Sequence, residues 1–199
     1  ALGLPQPDLN RLPAAGRFIP ILLVEDGNDV FEAVNAIADM VLQQFDDVRD
    51  FLPAFEWAVN EIVDNVFIHS KTLSPGVVCA QLFPNRRRLD IAICDSGIGI
   101  KGSLSESFSL DGDDSASTKA LERGVTRDVE VGQGNGMAGS LEIMKKNGGA
   151  FLVWSGTALY RLRGGEEKGF EYGPDMPGTG ILLSFDLNHP VKLIETWIG

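Results

Sequence analysis

Cysteine and histidine are scarce in this chain. Two of each, Cys79, Cys94, His69 and His189, stand among 199 residues. That is too few for a Cys/His zinc centre or a disulfide framework. Both cysteines fall in strand-like segments, where Cys acts as a small buried hydrophobe. Long apolar runs are also missing, since none approaches the ~20 residues needed to cross a bilayer. No basic-then-apolar leader opens the chain. These absences lead us to expect a cytoplasmic, reduced protein with no membrane association. Positive charge is in deficit: 17 Lys and Arg face 28 Asp and Glu, a formal net charge of −11. General binding to nucleic acid rests on Lys and Arg neutralising phosphates, so there is no direct nucleic-acid signal. The basic cluster Arg86-Arg87-Arg88 follows Pro84-Asn85 and precedes an apolar alternation, and it reads as a solvated hairpin turn. Ala1 is not a methionine, and the expectation is a processed product or a piece of a longer polypeptide.

In bulk the composition is ordinary. Hydrophobic residues make up 44% and charged residues 23%, which excludes a disordered or collagen-like chain. A single domain of this length buries a core without disulfides or structural metal. Glycine is the exception. The 23 glycines compare with about 14 at the typical ~7% share, and they are clustered.

Residues 1–20, rich in Pro, Leu and Gly, are expected to be a lead-in or linker stump, and 21–199 a single domain. Ile21-Leu22-Leu23-Val24 predicts a short strand. Glu25 to Asp29 supply a turn, a helix N-cap and an acidic first turn. Val30, Val34, Ile37, Ala38, Val41 and Leu42 then recur at helical spacing up to about Phe45. A second helix is expected from about Pro53 to His69, with Phe55, Val59, Ile62 and Val66 as its apolar stripe. Ser74-Pro75-Gly76 breaks the pattern. Val77 to Phe83 and Leu89 to Cys94 read as an antiparallel hairpin. Residues 95–136, rich in Gly, Ser and Asp, predict a long functional loop, interrupted by a short helix at about 117–123. Met137 to Asn147 is helical, closed by Gly148-Gly149. Ala150 to Ser155, Ala158 to Leu162 and Ile181 to Leu187 read as three strands, with Gly164 to Gly178 as a polar connection. The pattern predicts an α+β fold. It is a two-layer sandwich whose mixed, mostly antiparallel sheet is covered by helices on one face.

Trp57, Glu61, Asn65 and His69 are each four apart and form one stripe on the second helix. Such a stripe is either a solvated face or a carboxylate and an amide carbonyl aimed into a cavity. The latter suits magnesium, which takes oxygen ligands, and lets Glu61 hold a water for attack on a phosphoryl group. Asp95-Ser96-Gly97-Ile98-Gly99 follows a strand. A carboxylate there accepts from the exocyclic amine of a base, and the glycines let backbone pass close to a ligand; a plain tight turn is the alternative. Gly132-Gln133-Gly134-Asn135-Gly136 runs into the Met137 helix, whose N-terminus favours phosphate. Gly134 to Gly139 also fits the dinucleotide fingerprint. The preceding Asp128-Val129-Glu130-Val131 is a poor buried strand, however, and no alternating βαβ pattern surrounds it. Asp111 to Ser115 with Glu122 falls short of a calcium loop, having Ala116 where glycine is needed, and reads as a solvated loop tip. Pro177-Gly178-Thr179-Gly180 alone reads as a turn.

In order and residue type these segments resemble the GHKL family of ATP-binding domains, found in gyrase, heat-shock chaperones, histidine kinases and mismatch-repair proteins. Glu61-Ile62-Val63-Asp64-Asn65 resembles its Asn box, and Asp95 to Gly99, Gly132 to Gly136 and Gly178-Thr179-Gly180 its three glycine boxes. The resemblance spans about residues 21–187. It implies the Bergerat fold, with ATP between the helical layer and a mobile lid at about 101–131. It implies that Asn65 holds Mg2+ and that Glu61 is catalytic, polarising the attacking water or hydroxyl. Asp95 would read the adenine amine, helped by Thr179 through water, with Gly97 and Gly99 making room for base and sugar. Gly132, Gly134, Asn135, Gly136 and Met137 would lie at the phosphates, and Lys119, Arg123 and Arg127 would reach them from the lid.

Asn65-Val66-Phe67-Ile68-His69 is most similar to the anti-sigma-factor serine kinases, whose Asn box is followed by a similarly placed His, which puts His69 in the nucleotide-binding set. The long lid and the Gly/charged segment 156–178 depart from that pattern. So does the lack of a dimerising helix with a phosphoacceptor His. If the chain is a kinase, its substrate is another protein or a further part of its own polypeptide. Two functions follow. One is an enzyme that hydrolyses ATP or transfers its γ-phosphoryl group to a protein. The other is an ATP-gated conformational switch or interaction module with little turnover.

Overall fold

The computed structural model of the chain describes residues 16–70, 74–125 and 136–193, the side chains of 66–70 and 170–174 excepted. The fold is α+β. Five strands, β1 (Phe18–Val24), β2 (Gly76–Phe83), β3 (Arg88–Cys94), β4 (Ala150–Arg163) and β5 (Glu166–Asp186), form one sheet in the order β1-β2-β3-β5-β4. Each neighbouring pair is antiparallel, which corrects the mixed sheet expected from sequence. The helices are α1 (Gly27–Leu42), α2 (Leu52–Ser70), α3 (Gly99–Leu104), α4 (Asp113–Ala120) and α5 (Gly136–Asn147). Among the described residues no helix is long and apolar enough to cross a membrane.

Alternate residues of the strands point inward, as the two-residue period requires. Val78, Ala80 and Leu82 of β2, Leu89, Ile91 and Ile93 of β3, Phe151 and Val153 of β4, and Ile181, Leu183 and Phe185 of β5 are all buried. They meet α1, which buries Val30, Val34, Ile37 and Val41, and α2, which buries Phe55, Val59, Ile62 and Val63. The rings of Phe51, Phe55 and Phe185 lie 5.3–6.0 Å apart. These tilted and edge-on contacts fix the start of α2 over the end of β5. The opposite face carries the half-exposed Val77, Cys79, Ala92, Cys94, Leu152 and Trp154, an arrangement consistent with two layers. The cysteines therefore sit on the sheet's outer face rather than in the core, although partial burial still pushes the Cys94 thiol up.

The caps follow the sequence. The Asp26 carboxylate accepts from the Asn28 and Asp29 N–H groups, and Asp29 accepts from the Asp26 N–H, a capping box that starts α1. At the end of α5, Gly149 donates to the Met144 carbonyl and Gly148, at φ 72°, donates to Lys145. That is the Schellman pattern. The preceding Asn147 is fully buried. Its amide donates to the carbonyls of Asp186 and His189, and its oxygen accepts from the Asp186 N–H, all at 2.8 Å. Asn147→Ala orphans these groups, and each costs about 1–3 kcal/mol. With three groups orphaned the expected loss is roughly 3 kcal/mol or more, read from the shift in urea midpoint. The Arg86-Arg87-Arg88 cluster is the turn it was read as. Arg87, at φ 44°, pairs with Asp47 at 2.8 Å and lies over the Phe45 ring, and Arg88 pairs with Asp90.

Four expectations are corrected. β1 begins at Phe18 rather than Ile21. A register shift between Ile19 and Leu22 breaks the alternation and hides the strand's first half, and Pro20 is tolerated because β1 is an edge. The three late strands are two, joined by Gly164-Gly165 at φ 60° and 80°, a two-residue hairpin turn. Gly164 to Gly178 is thus not a loose connection. β3 ends opposite Gly180, so this stretch pairs with β4 alone, and its exposed Glu166, Glu167 and Lys168 read as loop, with Glu167 turned toward Lys145 of α5. The expected loop after Asp95 holds α3 and α4. They bury Ile100, Ser103, Leu104, Ala116 and Ser117, a set too small and polar to show an apolar period. Finally, the short helix starts at Asp113 instead of Ser117. The Asp113 carboxylate accepts from both the N–H and the hydroxyl of Thr157 at 2.9 Å, which clasps α4 to β4 and holds the Asp113 carboxyl below its ordinary value. Gly156, at φ 58°, leaves the room, for a Cβ there would run into that carboxylate.

Candidate functional site

Three apolar columns on the inner face end in polar side chains at the same end of the sheet. Ile91 and Ile93 lead to Asp95, Thr179 leads into Ile181 and Leu183 on the antiparallel β5, and Phe151 and Val153 lead to Ser155. The strand pairing brings these ends together: Ser155 lies opposite Thr179, and the Asp95 N–H donates to the Thr179 carbonyl at 2.9 Å. The Asp95 carboxylate accepts from the Gly97 N–H at 2.7 Å, an Asx turn that aims the chain toward Gly99. Burial pushes the Asp95 carboxyl above its ordinary value, partly offset by backbone N–H groups of Gly97 and Thr179.

Two glycines make this approach possible. Gly178 has φ 83°, and a Cβ there would overlap the Asp95 carbonyl and stand 2.8 Å from its carboxylate. Gly99 has φ 68°, and a Cβ there would meet the Ser155 hydroxyl at 2.9 Å. Gly178→Ala therefore meets backbone that cannot swing aside. The left-handed conformation alone costs roughly 1–2 kcal/mol. The melting temperature should fall by at least ~2–4 °C, and an unchanged melting curve would contradict this packing.

The Ser155 hydroxyl ties the group together. It accepts from the Ile100 N–H at 2.9 Å, donates to the Gly178 carbonyl at 2.9 Å and lies 3.3 Å from the Thr179 hydroxyl. Ser155 lies outside the glycine-punctuated motifs. Its signal is the two-residue alternation Phe151, Val153, Ser155, a polar residue where an apolar one is due.

Glu61 and Asn65 stand one turn apart on α2, both half-buried. The Glu61 carboxylate lies against Gly136, the first residue of α5, and a Cβ at Gly136 would collide with it. The Ser140 hydroxyl lies 2.8 Å from the Gly136 carbonyl and 3.3 Å from that of Ala58, locking α5 onto α2. Burial, with the Asp64 charge, pushes the Glu61 carboxyl up, and burial does the same for Asp64. α2 also packs against α3, the helix that follows the Asp95 turn.

Met137 packs half-buried against the core. Lys119 pairs with Glu122 at 2.7 Å and lies 5.2 Å over the Phe108 ring, engaged within its own segment. Arg123 lines an open cleft of about 360 Å³ between α4, α5 and the hairpin. There Lys145 bridges Glu142 and Glu167, and the Tyr160 hydroxyl donates to Glu167. Gly132, Gly134, Asn135, Arg127 and the side chain of His69 lie outside the described residues, as does the end of the expected lid. No family model and no curated protein matches this chain.

Proposed function

We propose that the chain binds Mg2+-ATP in a Bergerat-type arrangement and either hydrolyses it or transfers its γ-phosphoryl group to a protein, another chain or a further part of the same polypeptide. One observation carries the reading. Asp95, Gly97 and Gly99 meet Gly178 and Thr179 around Ser155, at the open end of the inner face. Two segments far apart in sequence, each no more than a turn by itself, build one half-buried acceptor surface. An ionised carboxylate only accepts, which suits an exocyclic amine.

The donor set fits magnesium. Among the described residues there is no cluster of three or more acidic, His or Cys side chains able to hold a metal. Magnesium bound with phosphates, however, needs only one or two protein oxygens. Asn65 would hold it through its amide oxygen, beside the Glu61 and Asp64 carboxyls. When bound, the ion neutralises phosphate charge. Glu61, with its carboxyl pushed upward, is matched to orient and deprotonate a nucleophile nearer neutral pH than an ordinary carboxylate. The test is calorimetry with Mg2+-ATP, then single-turnover release or transfer of labelled phosphate with and without candidate protein partners. Binding with turnover is expected. Absence of binding at millimolar ATP overturns the reading, and binding without turnover leaves an ATP-gated switch.

A further inference from the structure

We propose that Ser155 is a positioning residue. It fixes the hydrogen-bond polarity of Thr179 and so selects a base edge that donates over one that accepts. The inference rests on the nucleotide reading above and assigns its base specificity to a residue outside the family-like motifs.

The argument is a count of protons. A serine hydroxyl has one proton and two lone pairs. The Ile100 N–H can only donate, so at 2.9 Å it takes one lone pair of Ser155. The Gly178 carbonyl can only accept, so at 2.9 Å it takes the proton. One lone pair remains, and the Thr179 hydroxyl at 3.3 Å bonds to it only by donating. Thr179 thereby commits its proton to the protein interior and keeps its own lone pairs for a ligand. Ser155 is 3% exposed and Thr179 8%, so bulk water does not rearrange the set. Gly99 contributes by absence, since a side chain there would press on the Ser155 hydroxyl.

Asp95 is the second member of the surface. Its carboxylate is held by the Gly97 N–H and accepts only when ionised. Asp95 and Thr179 therefore both present lone pairs. A 6-amino purine meets them with donors. A 6-oxo purine sets oxygen against oxygen. Without Ser155 the Thr179 hydroxyl turns freely and donates to a 6-oxo group, so discrimination relaxes while the phosphates still bind.

The experiment is calorimetry on the full chain with Mg2+-ATP and Mg2+-ITP, which differ in the group at position 6 of the base and in the proton that the 6-oxo base carries at N1. The wild type is expected to prefer ATP. Ser155→Ala should lower the ATP:ITP affinity ratio by about tenfold, one hydrogen bond's worth, and Thr179→Val should do the same. Thr179→Ser, which keeps the hydroxyl, should retain the wild-type ratio. The Ser155→Ala, Thr179→Val double variant should show no further fall, since the first residue acts through the second. A wild type that binds neither nucleotide overturns the nucleotide reading and this inference with it. A wild type that prefers ATP, with the ratio unchanged in Ser155→Ala or falling again in the double variant, overturns this inference alone. Should Ser155→Ala not fold, equal ratios in Thr179→Ser and Thr179→Val overturn it, and a ratio lost only in Thr179→Val supports it.

Discussion

Glu61→Gln is expected to leave ATP affinity within a few-fold of wild type and to cut single-turnover phosphate release by roughly 10²–10⁴-fold, the usual worth of a general base. Glutamine keeps the volume that packs against Gly136, so the α2–α5 contact survives and only the proton acceptor is lost. The wild-type rate should fall as pH drops through the raised Glu61 carboxyl, an acid limb lying above the ordinary carboxylate range. The variant should lack it. Stability carries the opposite sign. The carboxyls of Glu61, Asp64 and Asp95 are all raised in the folded state. Between the unfolded and folded values the native state binds more protons, so unfolding free energy falls as pH rises through that window. At neutral pH these charges cost stability, and Glu61→Gln should melt no lower than wild type. Asn65→Ala should behave differently, losing the magnesium dependence of ATP affinity. Near-normal turnover in Glu61→Gln would remove its catalytic role and leave the switch.

The sequence shows clearly those parts of the fold where one physical signal dominates. The Asp26 cap, the Gly148-Gly149 stop, the stripes of α1 and α2 and the β2–β3 hairpin all stand where local chemistry puts them. What stayed hidden depends on partners distant in sequence. α4 is held by Asp113 on Thr157, and between them α3 and α4 bury Ile100, Leu104, Ala116 and two serines, too few apolar positions to show a period. The distal half of the β4–β5 hairpin is a two-stranded ribbon with exposed charges, and they look like those of a loop. The candidate site divides the same way. Asp95, Gly97, Gly99, Gly178 and Thr179 stand out as glycine-punctuated turns. Ser155 does not, because its role exists only once β4 lies beside β5. Lys119, expected from the resemblance to reach the phosphates from the lid, pairs with Glu122 of its own segment, which lies three residues on.

Asp95→Asn is expected to weaken ATP binding by roughly 10–100-fold, because a hydrogen bond to a charged group is worth about 1.5–3 kcal/mol. The direction follows from which atom the protein already holds. The Gly97 N–H donates to one carboxylate oxygen at 2.7 Å, and an amide that keeps its carbonyl oxygen there retains that bond and gives up the Thr179 one. The amide nitrogen then occupies the other position, beside the Thr179 N–H, and directs a donor at the base amine. Preference for ATP over ITP should narrow for the same reason, the amide now suiting a 6-oxo group. A melting curve shows whether the variant keeps its fold: relief of the buried charge raises stability, and the amide N–H set against the Thr179 N–H lowers it. Calorimetry with both nucleotides, beside a melting curve, separates the effects. If ATP affinity and the ATP:ITP ratio both stay at wild-type values while the variant is folded, Asp95 does not read the base, and the acceptor surface at the end of the sheet serves another ligand.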